Sequence, residues 1–103
     1  MKGRAPAFIP VSIEFHEHEA RSESWGRLLD LSPTGARLMT RTPLRGGDAV
    51  LLSFELPGGG FERLRAGVIR AARDEDGYRV CRVRFSSAAE RVRLGRALRA
   101  LLL

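Results

Sequence analysis

The 103-residue chain has one cysteine, Cys81, so it cannot form an internal disulfide. It has no apolar run approaching the ~18 residues of a membrane span. Met1-Lys2-Gly3-Arg4 leads into Ala5-Pro6-Ala7-Phe8 rather than into a hydrophobic signal segment, and the expected location is the cytoplasm. Nucleophilic chemistry also lacks its parts. No Cys or Ser nucleophile motif accompanies the two histidines, and Gly58-Gly59-Gly60 is followed by no Gly-Lys-Ser/Thr, so it reads as a hairpin and not a phosphate loop. His16 and His18, among Glu14, Glu17 and Glu19, have no third partner at diagnostic spacing; a polar loop is expected there, without a metal site. The sequence therefore predicts neither an enzyme nor a bound cofactor.

What the chain has in quantity is positive charge of one kind. Basic side chains outnumber acidic ones 18 to 12, a formal net charge of +6, and every cation except Lys2 is arginine. Residues 1–60 hold seven charges of each sign and cancel, whereas residues 61–103 hold eleven arginines against five acids. Guanidinium is the better group for bidentate contacts to phosphate or guanine, so the second half suits an anionic partner. Nucleic acid is not the expected one, because clustered exposed aromatics that would stack single-stranded bases are missing.

With 44% hydrophobic and 29% charged residues, the length and composition suit one domain. Ile9, Val11, Ile13 and Phe15 alternate with Pro10, Ser12 and Glu14, predicting a strand with one buried face whose proline marks an edge or a start. A polar loop then leads to a second strand, Trp25 to Leu31. Ser32-Pro33-Thr34-Gly35 predicts a tight turn, with proline's fixed φ at the second position and, at the fourth, a glycine available for positive φ.

A third strand follows at Ala36–Thr40. The fourth carries Val50, Leu52, Phe54 and Leu56 on one face, the fifth Leu64, Ala66 and Val68, and the sixth runs from Tyr78 to Phe85. Ser87-Ala88-Ala89-Glu90 has a capping-box pattern, and behind it Leu94, Leu98, Leu101 and Leu102 recur at helical spacing. Arg91, Arg93, Arg96 and Arg99 read as its solvated face, and Trp25, Phe54, Phe85 and the leucines as core. Six antiparallel strands and one helix leave a small barrel or a sandwich, and a barrel removes exposed edges.

Gly26-Arg27-Leu28-Leu29-Asp30-Leu31-Ser32-Pro33-Thr34-Gly35-Ala36-Arg37-Leu38 resembles the Asp/Asn-x-Ser-x-x-Gly signature of PilZ domains, bacterial receptors for cyclic di-GMP. Leu44-Arg45-Gly46-Gly47-Asp48, Leu56-Pro57, Val68-Ile69-Arg70 and Val83-Arg84-Phe85 follow in the family's order, so the resemblance covers about Arg4 to Phe85, and the trailing helix is also typical. It implies a mainly β fold, a six-stranded antiparallel barrel with one C-terminal α-helix. Residues 1–103 would form a single PilZ-like domain, divided into an N-terminal arm (1–8), a barrel (9–85) and a helix (87–103). It also implies a site for cyclic di-GMP at Arg4, Asp30, Ser32 and Gly35, and no enzymatic activity. Asp30 would accept from a guanine edge, Ser32 and the backbone near Gly35 would hold phosphate or base, and Arg4 would clamp from the arm.

The chain departs from the family pattern twice. The Arg-x-x-x-Arg motif ahead of the first strand keeps Arg4 but has Phe8 at its second arginine, which by analogy with bidentate guanine contacts weakens binding by roughly five-fold to over a hundred-fold. In the last strand Arg82 stands where the family commonly has glycine, either obstructing the site or supplying a substitute cation. Two readings follow from the resemblance. One is a stand-alone PilZ-like adaptor that binds cyclic di-GMP, its affinity weakened by Phe8, and signals through an unidentified protein partner. The other is a degenerate PilZ domain that has lost the nucleotide and serves as a protein-interaction subunit of the pilus or motility type.

Overall fold

A computed structural model describes residues 9–15, 24–74 and 76–101. Its elements, in order, are β1 (Ile9–Phe15), β2 (Ser24–Leu31), β3 (Gly35–Thr40), β4 (Ala49–Leu56), β5 (Gly59–Arg73), β6 (Arg79–Phe85) and α1 (Ala88–Leu101). The six strands close into an antiparallel barrel in the spatial order β1-β2-β3-β6-β5-β4, as the sequence predicts. Pro10 pairs only with Arg27 of β2, since the β1–β4 ladder begins at Ser12; its missing N–H falls where no second neighbour needs it.

Alternation sends one set of side chains inward. Val11, Ile13, Leu38, Leu52, Leu64, Val83 and Phe85 are at most 1% exposed and make one continuous core. Strand β5 is the exception in length. Its 15 residues start at Gly59, immediately after the Pro57-Gly58 turn, and its first half pairs with β4 while its second half pairs with β6. Two bulges bend it. The register slips between Leu52/Phe54 and Leu64/Phe61, where Arg63 has φ 54°, and again between Val68 and Arg70.

Helix α1 starts behind Ser87, whose Oγ accepts the Glu90 N–H at 3.3 Å. The Glu90 carboxylate does not complete a capping box with Ser87 but pairs with Arg93 at 3.1 Å. Arg93 is correspondingly more than a solvated face. Its Nη2 donates to the Gly60 carbonyl at 2.8 Å and its guanidinium lies 4.1 Å over the Phe61 ring, fastening the helix to the β4–β5 hairpin. The leucine stripe is core only in part: Leu94 is buried and Leu98 packs at the margin, but Leu101 is 44% exposed. Leu102 lies outside the described residues.

Trp25 also corrects the sequence reading, being 60% exposed. The cause is the neighbouring inward position. A side chain on Gly26 would begin 2.6 Å from the Met39 carbonyl oxygen and 3.3 Å from Cδ1 of Ile13. Only glycine fits inward there, and alternation turns Trp25 to the outer wall.

Cys81 is fully buried. Burial pushes its thiol up from the ordinary 9.0; nearby Arg79 pulls it back in part and Asp48 adds to the rise. The native thiol therefore stays protonated where an unfolded one ionises, so stability from this group is intact below pH 9.0 and is lost as the pH rises from there through the folded value. The native protein is expected to leave a thiol reagent unreacted at neutral pH and to react fully in denaturant. Rapid labelling of the native protein would contradict this.

Candidate functional site

The β2–β3 connection is a hairpin held by its own side chains. The Ser32 N–H donates to the Gly35 carbonyl at 2.9 Å, the Gly35 N–H donates to Ser32 Oγ at 3.3 Å, and that hydroxyl in turn reaches the Gly35 carbonyl at 3.2 Å. The Thr34 carbonyl accepts the Phe85 N–H at 2.9 Å, so the hairpin is pinned to the end of β6. Helix α1 backs it from the other side, where a side chain at Gly95 would begin 3.7 Å from the Pro33 ring.

Gly35 is required for a reason the turn pattern does not contain. Among non-helical glycines its φ is not one of the positive ones, which are Gly47, Gly58 and Gly77. Its role is close approach: a Cβ there would sit 2.3 Å from the Val83 carbonyl oxygen on β6. The expectation of positive φ at this turn position is thus replaced by steric exclusion between two strands.

Bulges then align the charged residues. A bulge at Leu29 brings Asp30 opposite Arg37, whose Nε donates to Asp30 Oδ2 at 2.6 Å with both side chains about half exposed. Arg37 is opposite Arg82 on β6, and the bulge at Ile69 brings Arg70 opposite Arg82 from β5. The outer wall thus carries Asp30, Arg37, Arg82 and Arg70 in one row across four strands. One step along, Arg84 is flanked by Gly35 on β3 and Gly67 on β5, neighbours without side chains. The same bulge leaves Ile69 51% exposed.

All of these charged residues except Arg70 line a cleft of about 470 Å³. Its lining includes Asp30, Ser32, Thr34 and Gly35 together with Arg37, Ile69, Arg82 and Arg84. A second cleft of about 370 Å³ adjoins it at Ile69 and Arg84 and includes Arg91. In the first, one carboxylate faces three guanidinium groups, a balance that favours an anionic ligand carrying at least one hydrogen-bond donor. The volume lies within the roughly 300–1,000 Å³ range of small-ligand sites. Among the described residues no group of His, Cys, Asp or Glu is assembled to hold a metal.

The structure brings Asp30, Ser32 and Gly35 together on this cleft, and Arg82 lines it with them. Arg4 and Phe8 lie outside the described residues, as do His16 and His18. Arg37, Arg84 and Ile69 were not singled out by sequence. The signal for Arg84 was available, because it is two residues from Arg82 on a strand and so shares its face; that for Arg37 and Ile69 depends on bulges.

The fold is a closed antiparallel barrel with an arginine-lined cleft at a stapled hairpin, of a size that small ligands occupy. Comparison with family models identifies it further: the PilZ domain matches residues 3–103, nearly the whole chain, and the chain belongs to the PilZ family. PilZ domains are generally cyclic di-GMP-binding and signalling modules, not enzymes. Comparison with curated proteins gives no significant match. No helix among the described residues is long and apolar enough to cross a membrane.

Proposed function

We propose that this protein binds cyclic di-GMP in the cleft at the Ser32–Gly35 hairpin and acts as a signalling adaptor, passing occupancy to a protein partner. The observation that carries the reading is the convergence of Asp30, Ser32 and Gly35 with arginines on one cleft. Guanine offers N–H donors on its pairing edge and the O6/N7 acceptors on the other, while the ligand carries two phosphodiesters. Asp30 supplies the acceptor for the donors. Ser32 contributes chiefly by fixing the hairpin, since its hydroxyl is already engaged with Gly35. Arg4 on the N-terminal segment supplies a guanidinium for phosphate or the O6/N7 edge. A cytoplasmic location fits a soluble second messenger.

Isothermal titration of the full chain with cyclic di-GMP is expected to show saturable binding. Arg4→Ala is expected to weaken it by roughly five-fold to a hundred-fold, the equivalent of one bidentate contact. Absence of heat, together with absence of thermal stabilisation by the ligand, would overturn the reading and direct attention to a protein-interaction subunit that has lost the nucleotide.

A further inference from the structure

We infer that Arg82 and Arg84 of β6, with Arg37 of β3, form a phosphate clamp that supplies the cation missing at Phe8. As applied to cyclic di-GMP this rests on the function proposed above; as a site for paired phosphates it stands on the cleft itself.

The placement of charge is the first argument. Arg82 sits directly opposite Arg37 on one neighbouring strand and opposite Arg70 on the other. Like charges in directly opposed positions destabilise a sheet, and the row is tolerated without a matching row of acids. Asp30 is the one acid in the cleft's lining, and its Oδ2 is paired with Arg37. Neither Arg82 nor Arg84 has an ion-pair partner among the described residues. An arrangement that breaks a local stability rule without internal compensation is the expected mark of a binding site, and here the compensating charge is an anion.

Geometry is the second. Arg82 forms part of the lining of a cleft that remains open at about 470 Å³, so it furnishes the wall without filling the space. Arg84 belongs to both clefts, which meet at it and at Ile69, and its strand neighbours are glycines, so a ligand can approach it from either side. Planar guanidinium forks two residues apart on one strand face can each meet a phosphodiester bidentately. Arg37 is held in orientation by its Nε bond to Asp30, which couples the phosphate side of the cleft to the guanine side.

The test uses Arg82→Gln and Arg84→Gln, substitutions at exposed positions that remove the charge and keep a polar side chain. Two probes are titrated: cyclic di-GMP by calorimetry, and inorganic pyrophosphate by backbone amide shifts. Each single variant is expected to weaken cyclic di-GMP about tenfold or more, and the double variant about a hundredfold. Pyrophosphate is expected to shift amides at residues 35–37 and 82–84 in the wild type and to leave them in place in the double variant. Unchanged or tighter cyclic di-GMP binding by Arg82→Gln would overturn the clamp and leave the receptor reading standing, with Arg82 as an obstruction. Should the wild type ignore cyclic di-GMP, the receptor reading fails and pyrophosphate decides: shifts lost in the double variant sustain the clamp, and no shifts at millimolar concentration overturn it.

Discussion

Gly35→Ala is expected to destabilise the unliganded barrel by about 2–3 kcal/mol, within the usual range for overpacking a tight site. The new methyl group would lie 2.3 Å from the Val83 carbonyl oxygen, and the obstacle is backbone, which cannot rotate aside. Relief requires moving β3 away from β6 at a point where six consecutive residue pairs are in register. For a domain of this size the loss corresponds to a fall in Tm of roughly 10–20 °C, measurable by calorimetry without any ligand. Gly67→Ala is the matched control. It lies on the other side of Arg84, on β5, and a Cβ there meets nothing within 4 Å. Its effect is expected to stay within about 0.5 kcal/mol. Equal effects of the two substitutions would refute the steric account.

Asp30→Ala is expected to move two ligands in opposite directions. Cyclic di-GMP loses its only carboxylate acceptor in the cleft and should bind up to roughly a hundredfold more weakly. Pyrophosphate has no donor for Asp30 to accept, and removing a negative charge beside three arginines should tighten it. Folding is a minor concern, because the Asp30–Arg37 pair is about half exposed and such pairs contribute about 0–1 kcal/mol. Calorimetry with both ligands on the same preparation reads the sign. If both weaken together, Asp30 serves to orient Arg37 and not to recognise a base.

The strands were legible because alternation is a local property: Val50, Leu52, Phe54 and Leu56 reveal their strand without knowledge of its neighbours. The hairpin residues Asp30, Ser32 and Gly35 were legible for the same reason, lying within six positions of one another. Less local facts were hidden. The full length of β5 escaped because Gly59 and Gly60 read as hairpin alone, though they pair with Glu55 and Leu56. Trp25 reads as core in the sequence, whereas its direction is decided by the crowding at Gly26. The row from Asp30 to Arg70 depends on bulges at Leu29 and Ile69, single-residue slips that hydrophobic periodicity does not encode. Arg37 and Arg82 are 45 positions apart in the chain, and only closure of the barrel makes them neighbours.

The way the hairpin is fastened changes what its signature can mean across evolution. Ser32 is spent on stapling the turn, and Gly35 is fixed by the nearness of β6, so both answer to the demands of folding whether or not a nucleotide is ever present. Selection would keep them in a descendant that had abandoned the ligand. A sequence search keyed to those two letters therefore counts barrels, not receptors. The positions that record whether the messenger is still read are the ones the fold leaves at liberty to drift, here Asp30, Arg82 and Arg84, and relatives would be sorted by those.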